Sequence, residues 1–65
     1  MEEKDVLVNK IFADFNDSVT AMGNLDLEKM KKADRMMEDN LRKLYAIDEG
    51  LFGEICAELH VGVDV

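Results

Sequence analysis

The chain is organised by apolar residues recurring at steps of three and four, over two windows of about twenty residues, with no proline to interrupt either. In the first window Val8, Phe12, Phe15, Val19 and Met22 follow steps of 4, 3, 4 and 3, and Ile11 lies beside them. That beat puts one stripe along an α-helix, whereas a half-buried strand needs strict alternation. Asn9, Lys10, Asp14 and Asp17 fall off the stripe. A helix is expected over about 4–22, with Gly23 as the left-handed residue that closes it.

The link "GNLD" is short, and Asp26 is placed to cap a second helix by accepting from its free N–H groups. Leu25 and Met30 have the spacing of a hydrophobic staple. Glu28 with Lys32, Glu38 with Arg42, and Asp39 with Lys43 are acid-before-base pairs four residues apart, which support an exposed helix face. The second helix is expected over about 27–47, antiparallel to the first because the link is short.

Asp34 interrupts this second helix. It stands at a core position of the series Leu27, Met30, Asp34, Met37, Leu41, Leu44. A second register runs Met30, Ala33, Met37, Asn40, Leu44, Ile47. Together they make a stripe roughly 160° wide at ~100° per residue, enough for two neighbouring helices. Asp34 then lies near a border of the stripe, within reach of solvent or a lysine, and Asp34→Leu is expected to be neutral or stabilising.

"DEGLFGEICAELH" carries Leu51, Phe52, Ile55 and Leu59 at helical spacing, weakened by Gly50 and Gly53. It predicts a short third helix over about 51–60, the alternative being that the second helix continues through Gly50. In the tail, Val61, Val63 and Val65 alternate as in a strand, which at a terminus needs a partner edge; otherwise the tail is flexible. The fold expected is all-α: an antiparallel hairpin plus a short third helix in one domain, 1–65.

A chain of 65 residues builds only a marginal core. Proteins of this size usually add disulfides, a metal or self-association. Cys56 is the only cysteine, which excludes an internal disulfide and suits a reducing compartment. Two copies are therefore expected to pair into a helical bundle, through Val8, Phe12, Phe15 and Val19 of the first helix and Met30, Met37, Leu41 and Leu44 of the second. "MEEKDVLVNK" has no apolar core of a secretory signal, and no apolar run is long enough to span a bilayer. A cytoplasmic location is the expectation.

The net charge of −7 is unevenly spread. Residues 1–26 hold six acids and two lysines; 27–47 hold four acids and six bases; 48–65 hold five acids and no base. The bases of the middle segment, Lys31, Arg35 and Arg42 among them, are interleaved with Glu28, Glu38 and Asp39. Nucleic-acid affinity comes from clustered cations, so this segment reads more readily as a solvated face. Following it, a third helix with Glu54 and Glu58 makes a poor recognition helix.

Catalytic patterns are missing. The chain has one His, one Ser and no glycine-rich phosphate loop, so neither an enzyme nor a cofactor is expected. Cys56 and His60, four apart, could face one metal ion, but two ligands do not complete a zinc site. Acids around the thiol disfavour a reactive thiolate. The methionines read mainly as core, with Met36 off the stripe and able to widen it toward a second neighbour.

No stretch carries a motif specific enough to place the chain in a family. The expectation is a non-enzymatic, acidic helical protein that self-associates and binds another protein with a basic surface, as a regulator, inhibitor or assembly factor. Its size and acidity resemble those of small viral or mobile-element regulators, by analogy alone. Asp34, Met36, Glu54 and Glu58 are the candidate partner-binding residues. The alternatives are a nucleic-acid-binding regulator using the basic second helix, and a metal- or ligand-binding oligomer around Cys56 and His60.

Overall fold

A computed structural model describes residues 2–64. Three helices follow one another: α1 (Glu3–Gly23), α2 (Leu27–Ile47) and α3 (Glu49–Leu59). Among the described residues there is no strand. α1 packs along α2 as a hairpin, and α3 folds back against α2. Both long helices lie within about two residues of their expected bounds.

The two connections are set by local hydrogen bonding. Asp26 caps α2 as expected, its Oδ1 accepting from the Lys29 N–H at 3.1 Å. The end of α1 differs from the sequence expectation. Gly23 is helical, and the left-handed residue is Leu25, at φ 59°. Leu25 N–H donates to the Met22 carbonyl at 3.1 Å and Asp26 N–H to the Ala21 carbonyl at 2.8 Å, the two bonds of a Schellman ending. Leu25 is consequently 85% exposed and staples nothing.

The second helix stops at Asp48, two residues before the glycine suspected of breaking it. Asp48 has extended backbone (φ −150°, ψ 91°), and its Oδ1 accepts from the Leu51 N–H at 3.0 Å. A short carboxylate able to cap its own following turn competes with helix continuation. Gly50 then sits in the first turn of α3. α3 closes at His60, which takes the left-handed conformation at φ 57°.

The core is built from Leu7 and Ile11 of α1, Met37, Leu41 and Leu44 of α2, and Ile55 and Leu59 of α3. Ile11, Leu41 and Leu44 are fully buried. Burying each such side chain stabilises the fold by about 1.5–3 kcal/mol. Val8, Phe15, Leu51 and Phe52 pack around this centre. Tyr45 meets Phe52 edge to face, with ring centroids 5.2 Å apart.

The first helix is turned by one residue from its sequence reading. Its buried line is Leu7, Ile11, Asp14, Ser18 and Ala21. Val8 and Phe15 are half-buried, while Phe12, Val19 and Met22 are exposed. The cause lies in α2, which offers polar partners at the matching heights, so α1 can bury Asp14 and Ser18 there.

The tail is neither a strand nor detached. Val61 and Val63 pack against the core, and Arg42 Nε donates to the Asp64 carbonyl at 3.3 Å. Val65, the last of the alternating valines, lies outside the described residues. No helix among the described residues is long and apolar enough to cross a membrane.

Candidate interaction surface

Two side-chain hydrogen bonds join α1 to α2. The Ser18 hydroxyl donates to Asp34 Oδ1 at 2.6 Å, and Asn40 Nδ2 donates to Asp14 Oδ2 at 3.0 Å. Asp14 and Ser18 are 8% and 9% exposed, so each would be costly without its partner. Asp34 is half-buried at the border of the stripe, and its side-chain partner is a serine, not a lysine. Leu7, Ile11 and Ala21 keep the same 4-and-3 beat through Asp14 and Ser18, and α2 supplies Asn40 and Asp34 opposite. That complementary spacing was the signal available in the sequence.

On the tip side of the Asp14–Asn40 pair, a shallow cleft of about 240 Å³ is lined by Asp14, Asp17, Lys29, Lys32, Ala33 and Met36. Its acids come from α1 and its lysines from α2, and no pair of them approaches within 4.0 Å. Met36 opens onto this side. Glu54 and Glu58 sit on α3, exposed and one turn apart. The four candidate partner-binding residues therefore do not converge on one spot. Met37, Leu41 and Leu44 are occupied within the chain's own core, and of the eight expected interface residues Val19 is exposed and Phe12 barely so.

Ion pairing on α2 is local. Arg42 pairs with Glu38 at 3.8 Å and with Asp39 at 3.4 Å, so Asp39 takes Arg42 instead of Lys43. Glu28 and Lys32 form no ion pair. Lys4 lies 3.7 Å from Glu2 and 3.9 Å from Asp48, which sets the starts of α1 and α3 side by side. Around that end stand Glu2, Glu3, Asp5, Asp48 and Glu49, with Glu54 and Glu58 further along α3. Among the described residues, Glu3, Asp5, Glu49, Glu54 and Glu58 have no basic partner within 4.0 Å. Carboxylates at helix starts are favoured by the backbone dipole, which makes this acidic end cheap to maintain.

Cys56 and His60 do not form a pair. Cys56 is half-buried on α3, and burial pushes its thiol above the usual value. His60 has left the helix in the left-handed conformation and is exposed. Among the described residues, no three His, Cys, Asp or Glu side chains are grouped to hold a metal ion. On α2, the Tyr45 hydroxyl is also pushed up, chiefly by the Glu49 carboxylate, with burial adding a smaller part.

Large apolar side chains stand exposed at the hairpin tip: Val19 (45%), Met22 (55%), Leu25 (85%) and Leu27 (59%). Comparison with protein-family models, curated proteins and solved structures finds no match to the chain.

Proposed function

We propose that this chain is a non-enzymatic interaction protein: it self-associates and binds a second protein that presents a basic surface, acting as a regulator, inhibitor or assembly factor in the cytoplasm. The acidic end carries this reading. Glu3, Asp5 and Glu49 at the helix starts, with Glu54 and Glu58 further along α3, form no ion pair within 4.0 Å, and Lys4 beside them is taken by Glu2 and Asp48. Such a field raises the encounter rate with a basic partner and disfavours an acidic one. Self-association is supported by the small core and by the large apolar residues left at the surface.

The test is affinity capture from host extract with the intact chain and with Glu54→Lys/Glu58→Lys, followed by binding measurements on the purified partner. The expected partner has a basic surface and releases as salt rises, and it binds the charge-reversed chain at least about tenfold more weakly. A partner indifferent to both changes would overturn the assignment. Salt-sensitive nucleic-acid binding that is lost on Lys31→Glu/Arg35→Glu would replace it with a nucleic-acid-binding regulator.

A further inference from the structure

We infer that the hairpin tip is the surface through which two copies of the chain associate, tip against tip. This rests on the self-association reading above and specifies the face it uses.

Length is the first ground. α1 and α2 have 21 residues each and α3 has 11. At ~1.5 Å per residue the hairpin is about 31 Å long and α3 about 16 Å. α3 starts beside Lys4, at the end opposite the tip, so it covers only the lower half of the hairpin. Val19, Met22 and Leu27 lie above it, exposed.

Leu25 is the second ground. It occupies a left-handed position that glycine or asparagine takes with less strain, and it is the most exposed of the large apolar side chains. The Schellman bonds on one side and the Asp26 cap on the other hold it in place. An apolar residue that fits neither its backbone nor its solvent exposure is best accounted for by a surface that covers it.

Charge selects the occupant. From Asp17 to Arg35, the acids Asp17, Asp26, Glu28 and Asp34 are matched by Lys29, Lys31, Lys32 and Arg35. This stretch around the turn is neutral, and the net −7 lies on the residues outside it. A basic partner finds no excess of acid at the tip. A second copy meets an apolar, balanced surface identical to its own, as a twofold contact requires. In this arrangement the two acidic ends point apart, at separations beyond the ~8 Å screening length of physiological salt. Four side chains per copy fall short of the roughly 800 Å² per partner of a standard interface, so the dimer is a weak one.

Sedimentation velocity on the full chain between about 10 µM and 1 mM tests this, alongside Leu25→Asn/Leu27→Lys and the control Ile47→Lys, an exposed apolar residue at the opposite end of α2. Asparagine accepts the left-handed backbone, so circular dichroism should show the double variant as helical as the parent. The parent and Ile47→Lys should shift toward dimer mass with concentration. The double variant should stay monomeric, its association weakened at least about tenfold. Raising the salt above physiological strength should leave the dimer in place, because the acidic ends are already screened from one another and the contact itself is apolar. A parent that stays monomeric at 1 mM, a dimer indifferent to the tip substitutions, or one that dissociates in high salt would overturn the inference. Partner capture through Glu54 and Glu58 is a separate readout, so either claim can fail alone.

Discussion

The Ser18 hydroxyl donates to the Asp34 carboxylate across the two long helices at 2.6 Å. This bond reverses the expectation drawn from the sequence for Asp34. Replacing Asp34 by leucine removes a charge-assisted bond and leaves the buried Ser18 hydroxyl without its partner. Asp34→Leu should therefore destabilise the chain by about 1–2 kcal/mol in urea unfolding. Ser18→Ala/Asp34→Leu should recover most of that loss, giving a coupling of about 1 kcal/mol. Additive single-site effects would show that the bond contributes nothing.

The second cross-helix bond is the more costly one to break. Asp14 is among the most buried charged residues, and Asn40 supplies its hydrogen bond. Asn40→Leu leaves that carboxylate without its donor and should cost about 2–3 kcal/mol. Asp14→Leu/Asn40→Leu should be close to the parent, because both polar groups leave together. Urea melts of the three variants check this.

These two bonds also explain what could be read from the sequence and what could not. Helix existence and bounds followed from spacing, from Asp26 as a cap and from the absence of proline. The rotation of α1 did not follow, because the stripe Val8, Phe12, Phe15, Val19, Met22 is more apolar than the line that is buried. Apolar count favoured the wrong face by one residue, since it ignores polar groups that satisfy each other across helices. Leu25 was read as a staple and not as the left-handed residue for a related reason: glycine is the usual left-handed residue, and one stood two positions earlier. The interaction surface was legible only in outline. Phe12 and Val19 were singled out as interface residues, but exposure at the tip depends on how far α3 reaches along the hairpin.

Leu25 gives a direct test of the turn. In the monomer its side chain gains little and its backbone is strained. Leu25→Gly should raise stability by about 0.5–1 kcal/mol at low micromolar concentration, net of the greater freedom glycine has when unfolded. Leu25→Val should lower it, since β-branching is poorly tolerated at positive φ. Chemical denaturation of both variants decides the point; a loss on Leu25→Gly would contradict the turn as described.

Cys56 should be a slow thiol. Burial raises its pKa, so the thiolate is scarce near neutral pH. Alkylation by iodoacetamide should be slower than for a free cysteine, with its pH midpoint displaced upward, and should accelerate when urea unfolds the chain. An alkylation rate equal to that of a small thiol at every pH would place Cys56 in solvent.

The tip contact can be located in one measurement. Amide proton–nitrogen spectra of the intact, labelled chain recorded on dilution from about 1 mM to 20 µM report which residues change environment as self-association is lost. The result expected is a set of shifts concentrated between Val19 and Met30, with Glu54 and Glu58 unmoved. Spectra that do not change, or shifts concentrated on α3, would contradict it.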